Sequence, residues 1–429
     1  MRTDLAVVGG GIMGCCAALQ AAGGGMSVLV LDQGELGGGA SGVNAGTLSL
    51  QIKRAALMPY ALRGREMWER AGEAVGYHRT GGHTLAFTDA EAALLTERMT
   101  ARRAAGAPIE LVSPNRIAVE EPGLGRVVLA SWCPLDGFAN SSLTGAYYRA
   151  HLREAGIPYR EHCPVTAVER RDPAGFRLMT PHGTVQAARL LLACGAWLRP
   201  TAAMIGLDLP VRARINTVTV TERAPHLMRS VIGHASGLLT LKQKPNGTVL
   251  IGGGWQGTGS LDDRRKDIDF DQLVHNLILA NRVIPGLGPL HILRSWAGYE
   301  GVSPDSLPYL GRLPGFDNVY MAACARGGFR TIGFDIDADK IARLNAGKSY
   351  IDAVASEELA GLVAKQRFRA TSDSAELANC DVVIICVPTP LSKQRDPDLG
   401  FVTETARMIA RHLREGQLVV LESTTYPGT

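Results

Sequence analysis

Three glycines near the amino terminus, Gly9, Gly11 and Gly14, stand in G-x-G-x-x-G register directly after the apolar run Leu5 to Val8. An acid, Asp32, closes the next apolar run, residues 27–31. These residue types at this spacing suit the binding of a dinucleotide. The first glycine makes a tight turn out of a strand, the second lets the backbone approach a pyrophosphate, and the third lets helix and strand pack closely. The phosphates then face the positive end of a helix and the free N–H groups of its first turn, where Ile12 and Met13 lie. Asp32, with Gln33 beside it, can accept hydrogen bonds from a ribose. The motif is specific because it lies between strand and helix, with the acid after the second strand. Its spacing does not distinguish NAD from FAD.

Such a turn needs a β-α-β unit to hold it, and residues 5–31 are read as that unit. They contain no charged side chain and are long enough to cross a membrane. Glycines at 9–11 and 23–25 interrupt the run where turns are wanted, however, and only Arg2 precedes it, with no small-residue cleavage site after it. The expectation is a buried unit with no integral membrane segment, in a cytoplasmic protein. At 429 residues, 46% hydrophobic and 20% charged, the chain is globular and long enough for two or three domains. A net charge of +4 without any Lys/Arg run argues against nucleic acid as a partner. The eight cysteines follow neither metal nor disulfide spacing, so no metal site is expected.

A second glycine-rich segment runs from Gly38 to Gly46 as G-G-A-S-G-V-N-A-G. It resembles the second glycine-rich loop of the D-amino-acid-oxidase-like flavoproteins, which include glycine and sarcosine oxidases. Further segments resemble that family in its order. Tyr77 to Phe87 looks like the strand entering the substrate domain, and Asp136 to Asn140 like the turn before the returning helix. Val165, read as lying on a short strand, matches the position whose backbone meets adenine. Ala193 to Trp197, with Gly195, resembles the A-x-G-x-W turn under the cofactor. Arg294-Ser-Trp-Ala-Gly298 and Pro304 to Gly311 resemble the late R-x-W-x-G and D-x-x-P-x-x-G signature. Gly37 to Tyr60 is similar to the opine-oxidase and hydrogen-cyanide-synthase-like branch.

The resemblance covers residues 1–328 and implies FAD, held by Gly9, Gly11, Gly14 and Asp32, with Ser41, Asn44, Ala45 and Gly46 close to the flavin. It implies an α/β fold: an FAD-binding Rossmann-like domain with an inserted, mostly antiparallel α+β substrate domain from about 78–140 and 212–295. The implied reaction is oxidation of the C–N bond of a small amine, amino acid or opine by hydride transfer to flavin. Oxygen, a quinone or a partner subunit would take the electrons. Arg326 is the candidate clamp for a substrate carboxylate, because guanidinium pairs with carboxylate bidentately. Glycine-oxidase-like sequences place an arginine just after W-A-G, where this chain has Tyr299 and Glu300. Tyr299 is the candidate residue bordering the pocket. His78 and His83 are possible bases, although hydride transfer from a neutral amine relies on positioning more than on acid–base groups.

The last hundred residues depart from that family. Strand-like runs at 330–337, 368–371, 380–390 and 417–429 alternate with helical stretches, as in a doubly wound α/β unit. G-F-D-I-D, C-V-P-T-P and E-S-T-T-Y-P-G-T resemble the NAD-binding domain of the UDP-glucose/GDP-mannose dehydrogenase family. That likeness would put Asp335 on the NAD ribose, with Thr389 and Thr424 nearby. The first strand and glycine motif that should precede Arg330 are missing, so the unit is incomplete and NAD binding by it is not expected. The sequence therefore reads as a fusion at Gly328. Two alternatives stand beside the flavoenzyme: a nucleotide-sugar dehydrogenase fragment, or a non-catalytic chimera of the two.

Overall fold

A computed structural model describes residues 1–171, 175–304, 307–313, 316–324, 331–349, 356, 359–360, 363, 368–380, 382–385, 400–413 and 418–421. The chain separates into two compact units, Met1–Gly328 and Phe329–Thr429.

The first unit is built on two eight-stranded sheets, with a short pair formed by Thr47–Leu48 and Gly137–Phe138 beside them. In one, strand β1 (Arg2–Val8) is followed by helix α1 (Ile12–Gly23) and strand β2 (Val28–Leu31). β1 pairs in parallel with β2 and with Gly183–Leu192, which pairs in parallel with Val319–Ala323. Tyr159–Arg160 and Tyr309–Arg312 close the two ends. The run Leu5 to Val8 lacks polar alternation because both its faces are covered, as parallel central strands require. Ala6 and Val8 pack with Leu29, Leu31, Leu190 and Leu192, whereas Leu5 and Val7 pack with Ala18 of α1, Val28 and Val30. Val165 lies outside any strand, which corrects the expectation for it. The ladder with Gly175–Thr180 starts only at Ala167, because Pro164 has no N–H to give and His162 turns the chain at φ 50°.

The second sheet takes eight strands in the order Ile292–Val302, Arg212–Arg223, Thr248–Gly252, Thr240–Gln243, Val231–His234, Gly82–Ala86, Leu129–Cys133 and Glu110–Val112. All neighbours run antiparallel except Val231–His234 with Gly82–Ala86. One face buries Leu85, Ile232, Leu241, Val249 and Ile251 against Ala280 and Val283 of helix Phe270–Val283. The other face meets the second glycine-rich segment.

The second unit holds two parallel pairs, Thr331–Phe334 with Phe368–Thr371 and Val382–Ile385 with Leu418–Leu421. Among the described residues no strand joins them, and each has its own small core: Leu344, Leu359 and Ala370 for the first, Leu377, Val383, Ile385 and Ile409 for the second. Helix Ala338–Asn345 starts where Asp337 Oδ1 accepts from the N–H groups of Asp339 and Lys340. No described helix is long and apolar enough to cross a membrane.

Candidate active site

The turn between β1 and α1 is shaped by contacts that only glycine permits. A Cβ on Gly9, at φ +108°, would lie 2.4 Å from Ala193 O, and one on Gly14 would lie 1.9 Å from Gly9 O. Gly11 differs: its backbone is extended, and a Cβ there would meet only Ser41 Oγ, at 3.1 Å. Its glycine keeps space open beside the helix terminus and relieves no clash with backbone. The first turn of α1 carries no acidic side chain, so its dipole is uncompensated by protein. Ile12 N–H donates to Ser41 Oγ at 3.0 Å, which ties the turn to the second glycine-rich segment. Met13 follows within the same turn, packed on the core beneath α1. The arrangement fits a phosphate-bearing ligand.

Asp32 already has backbone partners. Its Oδ2 accepts from Gly10 N–H at 2.6 Å and its Oδ1 from Gly34 N–H at 2.8 Å. Burial raises its pKa from the ordinary value despite these bonds. The acid thus shapes the turn while keeping lone pairs for a ligand. Gln33 beside it is exposed.

Ser41 lies in the short helix Ala40–Val43. Asn44 fixes the exit, its Nδ2 donating to Ala40 O at 2.8 Å and its Oδ1 accepting from Gly46 N–H at 2.7 Å. Gly46, at φ +71°, passes so close to Ala139 that a Cβ would lie 2.0 Å from its oxygen. Trp296 Nε1 donates to Val43 O at 2.7 Å. Between this segment and the second sheet lies a cavity of about 600 Å³ whose lining includes Asn44, Ala45, Asn140, Lys244, Arg294 and Trp296. Gly195, at φ 56°, lies under Gly301, where a Cβ would come 2.6 Å from Gly195 O. Trp197 meets Tyr299 edge to face at 5.6 Å.

The remaining candidates divide. Tyr299 is only 7% exposed, and its hydroxyl lies 2.8 Å from Ser260 O and 2.6 Å from Arg265 O. That hydroxyl anchors the 260–265 loop, and Tyr299 is not among the cavity-lining residues. His83 is buried, Nδ1 2.9 Å from Ser230 Oγ and Nε2 3.2 Å from Glu120 Oε2, and burial lowers its pKa. Its place is a structural joint between strands. His78 is exposed and rests on Phe138. Arg326, Thr389 and Thr424 lie outside the described residues. Asp335 accepts from Asp337 N–H at 2.9 Å, within the second unit's strand-to-helix turn.

Sequence reasoning passed over Lys242, which is 0% exposed and donates from Nζ to Thr47 Oγ1 at 2.6 Å, directly after the second glycine-rich segment. Burial pushes its pKa down to about 7. It also passed over Asn216, whose Nδ2 donates to Glu300 Oε2 across neighbouring strands. Neither stands out in sequence, because the strands Thr240–Gln243 and Arg212–Arg223 carry several polar residues each.

Residues 4–333 match the profile of a family described as FAD dependent oxidoreductase. The chain belongs to that family. This flavoprotein is 29% identical over 336 residues to a glycine oxidase of Geobacillus kaustophilus, covering 75% of this chain and 87% of that relative. It is 26% identical over 346 residues to one of the subunits of an opine oxidase from Rhizobium meliloti, covering 76% and 89%. The crystal structure of a glycine oxidase from Geobacillus kaustophilus superposes with a TM-score of 0.66 at 26% identity, covering 77% of this chain and 90% of that one. Its cofactor is FAD, and the anion-fitting turn, close-packed glycines and adjoining cavity are compatible with it. Residues 316–429 match the NAD binding domain of the UDP-glucose/GDP-mannose dehydrogenase family. The two matches overlap at 316–333. Within the overlap, Val319–Ala323 is committed to the flavoprotein's first sheet, between Gly183–Leu192 and Tyr309–Arg312.

Proposed function

We propose that this FAD-dependent oxidoreductase oxidises the C–N bond of a small amine, amino acid or opine. The observation that carries the reading is the hydrogen bond from Ile12 N–H to Ser41 Oγ, which ties the turn at Gly9 to Gly14 to the segment whose Asn44 and Ala45 line the cavity. In this reading Gly11, Ile12, Met13 and Gly14 receive the pyrophosphate at the terminus of α1, and Asp32, flanked by Gln33, receives the ribose. Ser41, Asn44, Ala45 and Gly46 border the flavin, with Gly195 and Trp197 on the neighbouring turn and Val165 at the adenine end. FAD, when bound, supplies the hydride acceptor. The chain's contribution is to orient the substrate against the sheet face. Arg326 remains the proposed clamp for a substrate carboxylate, and the domain division at 328 the proposed boundary.

The names of the relatives support amines with a carboxylate nearby: glycine for one, opines for another. The substrate, and whether oxygen, a quinone or a partner subunit accepts electrons, are open to one experiment. Anaerobic mixing of the purified protein with D-amino acids, N-alkyl amino acids and opines should bleach the flavin band near ~450 nm for at least one class. Readmitted oxygen restores the band if oxygen is the acceptor, and a quinone or partner subunit is needed if it does not. A flavin that no amine reduces, while dithionite does, would sink the reading.

A further inference from the structure

Helix Phe270–Val283 buries Leu273, Asn276, Ala280 and Val283, the last two against the core of the second sheet. A helix lying on a core ordinarily gives polar residues to solvent. This one gives Phe270, Val274 and Ile278, which are 73%, 50% and 61% exposed. Spaced four apart, they form one ridge along the helix, and such a ridge packs into the groove of another helix. Apolar residues exposed singly are ordinary, whereas a row of them on one face is the pattern of a contact surface. The apolar surface continues sideways. Trp255 stacks on His275 of the same helix at 6.1 Å, and its Nε1 donates to the carbonyl oxygen of Leu238, itself 47% exposed.

Opposite charges stand at the two ends of the ridge. Asp271 and Arg282 are exposed, lie about three turns or ~16 Å apart, and fall on the same stripe of the helix as Ile278. Among the described residues neither side chain has an ion-pair partner. Their places in the first and last turns suit the helix dipole, but that effect needs no apolar ridge between them. The order of acid, apolar ridge and base is self-complementary. A second copy turned about a two-fold axis runs its helix antiparallel and sets base against acid at both ends. Val274 and Ile278 lie close to symmetrically about the same midpoint, so each then meets the other.

We propose that this helix face is an interface between two copies of the chain. The two helices pair antiparallel, Val274 packs on the partner's Ile278, and Asp271 pairs with the partner's Arg282. Phe270, Trp255 and Leu238 flank the pairing and widen its apolar area. The occupant is a second copy because a partner of other sequence has no need of opposite charges balanced about the ridge's midpoint. The inference is independent of the reaction proposed above.

Sedimentation equilibrium of the purified full-length protein tests it. The parent should show twice the chain mass of 45.7 kDa. Ile278→Glu, which puts a carboxylate at the apolar centre, should weaken the dimer at least ~100-fold. Asp271→Arg and Arg282→Asp should each weaken it about 10-fold, since each sets like charges together at both ends. Mixed in equal amounts, these two variants should recover the dimer, because one then supplies bases at both positions and the other supplies acids. A partner of other sequence does not give that recovery, and the charge variants answer the question even if Ile278→Glu fails to fold. A parent of single-chain mass at ~100 μM overturns the interface and leaves the face to a different occupant. So does a dimer that Ile278→Glu leaves intact, or a pair of charge variants that stay apart on mixing.

Discussion

Residues 2–31 and residues 331–421 both hold parallel strands leading into helices, with acids at the turns, yet they arrive at different conditions. In the first unit β1 lies between β2 and Gly183–Leu192, hydrogen-bonded on both sides, and carries the glycine turn at its carboxyl end. In the second unit the two strand pairs stand without a strand between them among the described residues. A doubly wound sheet binds its dinucleotide at the central strand's turn. Where that strand is present, side-chain and backbone contacts converge on an anion-fitting terminus. In the second unit the pairs form through pairing, caps and small cores that are local, and among the described residues no strand joins them.

The comparison is broken most severely from within the first unit. Gly14→Ala places a methyl group 1.9 Å from the backbone oxygen of Gly9, which cannot move aside as a side chain could. The expected cost is about 3 kcal/mol or more, read as a fall in the thermal midpoint and loss of soluble protein. A variant as stable as its parent would show that α1 does not press on the turn as described.

Hydrogen exchange sharpens the contrast between the units. Amides of β1 and Gly183–Leu192 should exchange only through global opening of their unit. Those of Thr331–Phe334 and Val382–Ile385 should exchange at least ~100-fold faster, because among the described residues each pairs with one strand only. Equal protection would contradict the contrast drawn between the two units.

A smaller effect, with a definite pH signature, is expected at Lys242. Its pKa falls from the ordinary 10.5 to about 7 on folding, so between those values the unfolded chain binds the extra proton. Stability then rises with pH across that window, and the burial penalty is fully present below about pH 7. Lys242→Met should therefore stabilise the protein, on the order of 2 kcal/mol at neutral pH, with the advantage fading toward pH 10.5. Melting curves at several pH values check the slope. An advantage that grows with pH would reverse the assignment.

Some of this is legible in the sequence because it is local. The turn at Gly9 to Gly14 is written in consecutive residues, as is the cap at Asp337, and the missing glycine motif before Arg330 shows as an absence. The Asn216–Glu300 pair is not, because its partners are 84 residues apart and meet only through antiparallel register. Tyr299 reads from its neighbours as a residue at the pocket, whereas its hydroxyl serves a loop, 260–265, with no periodicity to announce it. Val165 reads as strand because no residue type there records that the positive φ of His162 delays the ladder.

The central claim is that residues 1–328 hold FAD through the turn at Gly11, and one measurement tests it directly. Gly11→Val leaves an extended backbone that any residue adopts, and its Cβ would meet only Ser41 Oγ, at 3.1 Å, so the fold should survive. Parent and variant are purified alike, their folding is matched by circular dichroism, and flavin per chain is read from absorbance near ~450 nm. The account predicts a yellow parent and a folded, colourless variant. Equal flavin in both, or a folded parent that holds none, would contradict it.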